Sequence, residues 1–486
     1  YFEGPVYILA GGAMLLEDME MYVEANIPVA EGGLLSMSNV AIDAWGLEVQ
    51  GTIWANLCSF NDMNLYLMPG SMGEVRASTF LEAEIIIDAC DPVLADNLII
   101  AYDDYGIRVG NGAAPTIVSN IIAMSAVGIY ANGMDMGGIY DNLIVASYDF
   151  GLLAENCTGG IHDNVFLLNK VEIMLRNSDV SVEDNEIGFT DLFQVAADYA
   201  PLLGLLTGMN GEGIGLPTTD DPLAILEAML PSDGFDLVTW ITAHTGIWAE
   251  RSVVETSGNA YGMLNYAVYA VDSEVHFADD IRTSTVTIPW VHITSLGDVV
   301  ERNYTISVHT LNGIKAARSE LYVTGSTIEV LDDALVFEAS EGWVEGATLL
   351  AGDYDYFLFG GSEVYNIATT YETSKVEDSH SLNEGTWLTI TAIDEGEPVA
   401  NLTIYIRSAN GEVVKTVVTD AEGKARVLLP QYAWTFEGKD DGFNPYTINA
   451  TFESGEASLE VTLNQSYMDV TLEGEKESNI GAILAV

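Results

Sequence analysis

The stretch "GGIYDNLIVASYDFGLLAENCTGGIHDN" contains one six-residue motif twice. Gly-Gly-Ile-x-Asp-Asn occupies Gly137–Asn142 and returns at Gly159–Asn164, 22 residues later. Asparagines extend the repeat in both directions with spacings of 23, 22, 22 and 21 residues, at Asn97, Asn120, Asn142, Asn164 and Asn185. An apolar residue follows each of them two positions later, at Ile99, Ile122, Ile144, Phe166 and Ile187. A fixed period of this length indicates one structural unit stacked several times.

Two more apolar columns keep the same period. They are Ile107, Ile129, Leu152 and Ile173, and Ile117, Ile139, Ile161 and Val182. Three short apolar stretches separated by turn residues predict three strands per repeat, which is one rung of a parallel β-solenoid in an all-β chain. Rungs stack at roughly 4.8 Å, so like residues lie over like. We expect the asparagines to form a structural ladder, bonding the turn backbone and one another and tolerating a left-handed conformation.

The pattern resumes downstream. Triplets whose first and last residues are apolar recur at spacings of 21, 23, 23 and 23 residues, at Ile247-Trp248-Ala249, Val268-Tyr269-Ala270, Val291-His292-Ile293, Ile314-Lys315-Ala316 and Phe337-Glu338-Ala339. Residues 1–378 are therefore predicted to be one solenoid. This texture resembles the right-handed parallel β-helix of the pectate lyase and polygalacturonase type, which many surface proteins share. The resemblance implies a fold and leaves the activity open.

One interruption breaks the repeat. Over 190–234 the apolar residues follow helical spacing, with Thr190 and Asp221 as capping residues, so a helical excursion is predicted. It covers apolar surface on its own solenoid or docks on a neighbouring molecule.

The C-terminal texture differs. Over 379–474 the strands alternate apolar and polar residues, and Asn410-Gly411 is a hairpin signal. Val399-Ala400-Asn401, Thr419–Gly423 and Tyr432 resemble the carboxypeptidase-regulatory-like or Cna-B-like β-sandwich, an immunoglobulin-like accessory module of extracellular proteins. Residues 475–486 are read as a frayed tail or the start of an anchor.

The charge balance restricts the setting. Sixteen basic and 73 acidic residues give a net charge of -57, while 49% of residues are hydrophobic. The apolar fraction excludes disorder, and the scarcity of Lys and Arg excludes nucleic acid as a partner. Such self-repulsion calls for salt or divalent cations, which predicts an extracellular, cell-surface location. A membrane would be reached only through an anchor not seen here. Cys58, Cys90 and Cys157 are buried thiols, or Cys58 and Cys90 form a bridge.

Catalytic candidates are sparse. The best set is Asp103, Asp104 and Asp149 on equivalent turns, with Arg108 nearby. The hydrolases of this solenoid type use clustered aspartates, but the Gly-His-Gly motif that a polygalacturonase would require is absent. The lyases of this solenoid type would instead need a basic residue positioned over an acidic groove. We assign no catalytic residue and expect no enzyme.

Two other kinds of site are suggested. Asp141, Asp163 and Asp184 precede ladder asparagines, and carboxylates one rung apart either point into water or share Ca²⁺, the one cofactor that the sequence suggests. Five N-x-S/T sequons suggest a glycoprotein, at Asn156, Asn303, Asn401, Asn449 and Asn464.

Two functions remain open. One is a self-assembling structural subunit of an S-layer, sheath or extracellular filament, with an archaeal surface among the candidate settings. Its interface would be an exposed apolar stripe of Tyr130, Leu153 and Met174, together with the excursion and the C-terminal sandwich. The other is a polysaccharide lyase, hydrolase or carbohydrate-binding adhesin on the same rod. There Trp248 and Tyr269, at outward positions, would hold a glycan unless the excursion buries them.

Overall fold

The computed structural model describes residues 4–102, 104–188, 244–293, 299–377, 381–435 and 438–474. In these ranges the regular elements are β-strands, apart from a 3-10 turn at Met136–Gly138. None of the helical structure within them has the length and hydrophobicity of a membrane span. The predicted excursion at 190–234, the tail at 475–486 and Asp103 fall outside the described residues.

The strands before residue 189 are short after the first two. They are β1 (Ala13–Val29), β2 (Leu34–Val49), β3 (Thr52–Asn56), β4 (Ser59–Asn61), β5 (Asn64–Leu67), β6 (Met72–Arg76), β7 (Thr79–Leu81), β8 (Ile85–Asp88), β9 (Val93–Ala95), β10 (Leu98–Ile100), β11 (Tyr105–Gly110), β12 (Thr116–Val118), β13 (Ile121–Ala123), β14 (Val127–Asn132), β15 (Ile139–Tyr140), β16 (Leu143–Val145), β17 (Phe150–Glu155), β18 (Thr158–His162), β19 (Val165–Leu167), β20 (Val171–Arg176), β21 (Asp179–Glu183) and β22 (Glu186–Gly188).

After residue 243 short solenoid strands continue up to residue 376, and the strands of the C-terminal unit follow. The solenoid strands, with one hairpin, are β23 (Thr245–Glu250), β24 (Val253–Ser257), β25 (Ala260–Gly262), β26 (Tyr266–Val271), β27 (Glu274–Phe277), β28 (Ser284–Ile293), β29 (Val299–Val308), β30 (Asn312–Ala317), β31 (Glu320–Thr324), β32 (Thr327–Glu329), β33 (Leu335–Glu338), β34 (Glu341–Glu345), β35 (Thr348–Leu350), β36 (Tyr356–Phe359), β37 (Glu363–Ile367) and β38 (Ser374–Val376). The C-terminal strands are β39 (Ser381–Asp394), β40 (Glu397–Pro398), β41 (Thr403–Ser408), β42 (Val413–Val418), β43 (Lys424–Pro430), β44 (Tyr432–Thr435), β45 (Gly438–Phe443), β46 (Pro445–Phe452), β47 (Gly455–Thr462) and β48 (Tyr467–Glu473).

Most solenoid strands pair in parallel with a counterpart one repeat later. Ile122 lies opposite Ile144, and Ile144 lies opposite Phe166. All three side chains are fully buried in one hydrophobic core that runs the length of the rod. The prediction of an all-β parallel β-helix is therefore confirmed, with about 14 turns.

The asparagines lie at one turn, stacked along the axis. Asn120 Nδ2 donates to Asn142 Oδ1 at 3.1 Å, and Asn142 Nδ2 donates to Asn164 Oδ1 at 3.0 Å. Each amide also binds backbone carbonyls, as Asn142 Nδ2 does with Ile117 O at 2.8 Å. These bonds satisfy turn groups that would otherwise be buried without partners.

The left-handed backbone conformation occurs at the residue before each ladder asparagine, not at the asparagine itself. The residues before the ladder asparagines have φ between 53° and 56°, namely Asp96, Ser119, Asp141, Asp163 and Asp184. Aspartate and serine tolerate this region because their short polar side chains bond locally. The expectation that the asparagines supply the left-handed turn was therefore wrong.

A second ladder, of hydroxyl groups, occupies another turn. Its members are Cys157, Ser178, Ser252, Ser273, Ser319, Ser340 and Ser362, and each backbone N–H donates to the next Oγ at 3.1–3.2 Å. This ladder was not predicted from the sequence. The available signal was the serine that closes both "GIWAERS" and "GIKAARS".

Two predicted rungs need correction. Val268 pairs directly with Ile314, while Val291 lies on β28, which forms an antiparallel hairpin with β29. The triplet Val291-His292-Ile293 is therefore not a rung. The chain from Val268 to Ile314 spans 46 residues, twice 23, so the hairpin preserved the apparent period. The next rung is shifted by two residues, because Ile314 pairs with Leu335 and not with Phe337.

All three cysteines are buried and free. The alternative of a Cys58–Cys90 bridge is thus not what the structure contains. Burial raises the pKa of each thiol, because the thiolate is poorly solvated in the core.

The C-terminal residues form two mainly antiparallel sheets around a separate core. One sheet joins β39 with β40, β43 and β48, and the other has the order β42-β41-β46-β47. Buried side chains from both sheets belong to one hydrophobic cluster. Membership of the carboxypeptidase-regulatory-like or Cna-B-like group stays a prediction.

No clean boundary separates the two units near residue 379. The first part of β39 pairs in parallel with β37 on the last rung, and the second part pairs with β43 and β48. Glu345 of the rod accepts hydrogen bonds from Trp387 Nε1 at 2.9 Å and Tyr467 Oη at 2.7 Å. One strand and one carboxylate therefore join the C-terminal unit to the end of the rod.

Candidate functional site

One outward-facing column of side chains runs along the rod, one residue per rung. The backbone register aligns Ile86, Arg108, Tyr130, Leu153, Met174, Trp248, Tyr269, Lys315, Val336, Phe357 and Lys375. We call this set the outer column. It brings the predicted interface residues and the predicted carbohydrate-binding pair into a single line.

The middle of the outer column is not an exposed stripe. Leu153 is 7% exposed and Met174 is 2% exposed, and both pack in a small cluster with Val127 and Val171. The expectation of an exposed apolar surface at these positions was therefore wrong. Tyr130 alone among the three predicted residues is half-buried, and its hydroxyl donates to Glu155 at 2.9 Å. Use of this stripe between subunits stays a prediction.

The next part of the outer column is aromatic and half-buried. The Trp248 and Tyr269 rings lie 5.1 Å apart at 55°, and Tyr266 stacks on Tyr269 at 5.8 Å. Lys315 Nζ lies 5.4 Å from the Tyr269 ring centre and pairs with Glu338 at 3.3 Å. The tilted rings form a wedge with faces that a flat apolar ligand surface could contact.

The C-terminal part of the column repeats this combination. Lys375 Nζ lies 4.3 Å from the Phe357 ring centre and 5.7 Å from that of Tyr354. On the adjoining turn Asp353 N donates to Asp332 O at 3.0 Å, so the two aspartates occupy neighbouring rungs. Desolvation, together with the hydrogen bond and charge of Asp353, raises the pKa of Asp332. The two carboxyl groups therefore lie close enough for one to influence the pKa of the other.

Three of the four catalytic candidates, Asp104, Arg108 and Asp149, lie in the described residues. Asp104 and Asp149 lie on one turn two rungs apart, linked through the backbone of Ala126. Arg108 Nε binds Glu84 at 2.9 Å, while Asp149 faces Lys170 Nζ at 3.7 Å. The basic groups are thus paired in ways that the spacing did not predict.

The acid column forms no cation cage in the described residues. Asp141, Asp163 and Asp184 are exposed and set in left-handed turns, and Asp163 lies 2.9 Å from His162 Nδ1. Within the described ranges no three or more His, Cys, Asp or Glu side chains are grouped so as to hold a metal ion. Calcium binding at these positions stays a prediction.

A buried acid escaped the sequence analysis. Glu172 is 1% exposed and stands in a column otherwise built from small residues at Gly106, Gly128, Gly151, Gly246, Ala267 and Gly313. A Cβ added at Gly151 would lie 2.8 Å from Asn169 Nδ2, which is why the position favours glycine. Asn169 donates from its backbone and its amide to the Glu172 carboxyl, and burial raises the pKa of Glu172 to about 8.

A second aromatic row lies on another face. The rings of His276, Tyr322 and Trp343 are stacked with centroid distances of 4.5 and 4.6 Å and nearly parallel planes. Tyr322 donates to Glu320 at 2.9 Å. Both faces of the middle ring, Tyr322, are therefore covered by its neighbours, unlike the tilted rings at Trp248.

The sequons differ in accessibility. Asn156, Asn401 and Asn464 are exposed, whereas Asn449 is half-buried and donates to Ser458 Oγ at 3.0 Å. Asn303 lies on β29 of the hairpin. Glycosylation of all five stays a prediction.

Comparison with known proteins adds a family match over part of the chain. Residues 32–187, all within the solenoid, match the family described as periplasmic copper-binding protein (NosD). No curated protein matches. Solved structures that align with this chain include the Dettilon tailspike protein, at 8% identity and a TM-score of 0.30, covering 93% of this chain and 74% of that one.

Two further structures are enzymes by description. One is the catalytic unit of the α-1,3-glucanase from Streptomyces thermodiastaticus, at 10% identity and a TM-score of 0.25, covering 78% of this chain and 63% of that one. The other is the mannuronan C-5 epimerase A-module from Azotobacter vinelandii, at 11% identity and a TM-score of 0.25, covering 79% of this chain and 91% of that one. Likeness at these identities and scores carries no statement about activity. The chain is thus similar, over residues 32–187, to the family described as periplasmic copper-binding protein (NosD).

Proposed function

We propose that this protein is a non-enzymatic structural subunit of an extracellular assembly, built as a rigid rod with a C-terminal unit fixed to its end. The observation that carries the proposal is an open sheet edge on that unit. Strand β42 pairs only with β41 in the described residues, and Val413, Val414 and Val418 on it are 44%, 41% and 56% exposed. An exposed β-branched edge strand favours pairing with another chain.

The rod supports this role by its rigidity. Two axial ladders of buried side chains connect successive rungs, one from Asn97 to Asn259 and the other from Cys157 to Ser362. The shared strand β39 fixes the C-terminal unit in place, so an edge contact there would set the orientation of the whole rod. Copies of the chain are the partners that this arrangement serves.

The charge fits a setting outside the cytoplasm. A net charge of -57 opposes association of like rods unless salt or divalent cations screen it. The family matched over residues 32–187 is described as periplasmic, which agrees with an exported chain. Assembly should therefore require molar salt or millimolar calcium.

Sedimentation velocity of the full chain tests the proposal. The wild-type chain should be monomeric in low salt with a chelator and polymeric in molar salt or calcium. Val414→Lys should stay monomeric in both, while Leu331→Lys, at a 53% exposed position on the rod, should assemble normally. A wild-type chain that is monomeric under every condition, or a Val414→Lys variant that polymerises, contradicts the proposal.

A second candidate, glycan binding, rests on a different observation. Trp248, Tyr269 and Tyr266 form a half-buried aromatic wedge on the outer column, with Lys315 beside it. Aromatic faces pack against the C–H faces of sugar rings. This function is compatible with the first, because a structural rod at a cell surface can also hold a polysaccharide.

A further inference from the structure

We infer that β42 pairs with β42 of a second copy of the chain, antiparallel and about a two-fold axis at Thr416. The inference rests on the proposed function, because it names the strand that occupies the open edge and the register of that contact. The sheet with the order β42-β41-β46-β47 has four strands, so four plus four strands would join into one continuous sheet of eight.

The backbone of β42 offers hydrogen-bonding groups on the side away from β41. Thr419, directly after the strand, donates its N–H to Leu402 O at 3.0 Å, and Thr416 lies opposite Tyr405. Because N–H groups alternate in direction along an antiparallel strand, those of Thr416 and Val418 point to the open edge. A second antiparallel strand could therefore extend the ladder there, as in strand addition to other sheet edges.

Symmetry restricts the register to two choices near the middle of β42. Opposite side chains of an antiparallel pair lie on the same face of the sheet, so a two-fold axis must place one residue opposite its own copy. With Lys415 at the axis, two ammonium groups would face each other, which opposes pairing. With Thr416 at the axis, threonine lies opposite threonine and Lys415 lies opposite Val417. Val414, where β42 shifts its register against β41, then lies opposite Val418. Threonine pairs and β-branched pairs are favourable across antiparallel strands, so the register centred on Thr416 is selected.

The charge of β42 differs from that of the chain as a whole. Val413–Val418 includes one lysine and no acidic residue, whereas the whole chain has 73 acidic and 16 basic residues. Glu412 and Asp420, just outside the strand, would approach each other across the axis. Salt weakens such repulsion between exposed carboxylates. A second copy thus combines a centre without acidic residues with acidic margins, which makes the pairing depend on salt.

The symmetry of the contact determines the first assembled species. An isologous contact closes after two chains. Two rods would therefore join through their C-terminal units, and longer assemblies would grow from that dimer.

Cysteine cross-linking of the full chain in molar salt tests the register. Thr416→Cys should form a disulfide-linked dimer under mild oxidation, because opposite Cα atoms of an antiparallel pair lie about 4.5–5.5 Å apart. Lys415→Cys is the matched neighbour. Its two copies would lie about 8 Å apart, beyond the reach of a disulfide, and should give about tenfold less dimer. A mixture of Lys415→Cys and Val417→Cys chains should cross-link, because these residues lie opposite each other, although neither chain should cross-link alone.

Two controls accompany the variants. Leu331→Cys, at a 53% exposed position on the rod, measures cross-linking by random collision. The wild-type chain should give no cross-link, because its three cysteines are buried. Circular dichroism of each variant shows that it is folded.

The outcomes separate the inference from the proposed function. If Lys415→Cys cross-links as readily as Thr416→Cys, or if neither variant nor the mixture cross-links while Val414→Lys still blocks assembly, the two-fold pairing is wrong and the proposed function stands. Equal cross-linking of Leu331→Cys and Thr416→Cys also overturns the inference. A wild-type chain that stays monomeric under every condition contradicts both.

Discussion

The buried Glu172 should make the stability of the rod depend on pH in a defined window. Its pKa is raised from 4.5 to about 8 by burial, and the side chain is 1% exposed, so solvent does not screen the effect. In the unfolded chain the carboxyl ionises near its ordinary pKa, and in the folded chain it stays protonated until about pH 8. Stability from this group is therefore complete below pH 4.5 and is lost as pH rises toward 8.

The magnitude follows from the shift. Each pKa unit corresponds to about 1.4 kcal/mol, so a shift from 4.5 to about 8 corresponds to roughly 5 kcal/mol between the two limits. Glu172→Gln keeps the size of the side chain and an acceptor for Asn169 but does not titrate. The variant should gain stability relative to the wild-type chain as pH rises, and should match it or be weaker at pH 4.5.

Urea unfolding at half-unit steps from pH 4.5 to 9, for the wild-type chain and the variant in parallel, measures the difference. Subtraction removes the titration of the other acidic residues, which both chains share. Glu183→Gln, which removes one exposed carboxylate, is the control for losing a negative charge. A difference between wild type and Glu172→Gln that stays constant within about 1 kcal/mol over the whole range would refute the reasoning.

Three further substitutions test the fold and the corrected surface. Asn142→Ala removes amide bonds to Ile117 O and Asn164 Oδ1 inside the ladder and should cost about 2–4 kcal/mol in urea unfolding, whereas a loss below about 0.5 kcal/mol would mean that the ladder is energetically idle. Phe166→Asp places an unpaired charge at a fully buried position and should abolish the cooperative transition and the β circular dichroism signal, so a soluble, folded variant would contradict the register. Leu153→Glu should lower the melting temperature of the monomer itself, because the side chain is buried within one chain; a variant with unchanged melting that fails only in assembly would instead restore the exposed-interface interpretation.

The repeat was predictable because parallel stacking turns a sequence period into a spatial column. Ile122, Ile144 and Phe166 share one inward position, and their spacing of 22 residues specified the register directly. The hairpin β28–β29 defeated the same logic. With the hairpin inserted, the paired residues Val268 and Ile314 are 46 positions apart in the sequence, which is twice 23. The apparent period therefore continued across a segment that is not part of a rung.

Glu172 was not predictable from local pattern. In "VEIML" alternation places the glutamate on the outward face, beside inward Ile173. The backbone instead sends two consecutive positions inward at this turn, which is why most other rungs have glycine there. Only the comparison of rungs, Gly128 and Gly151 against Glu172, contains the signal. The serine ladder was not predicted because serine is common at turns of every kind, so its presence there does not indicate a ladder.

The outer column illustrates why local motifs fail on a solenoid. Its residues from Trp248 to Lys375 are separated by 21, 46, 21, 21 and 18 positions, and no pattern search of fixed spacing joins them. The backbone pairs nevertheless place them in one straight line. Insertions between rungs lengthen the sequence without lengthening the column, because an insertion can leave the rod and return to the next rung. Residues far apart in the sequence are therefore neighbours along the axis, and only the backbone register identifies them.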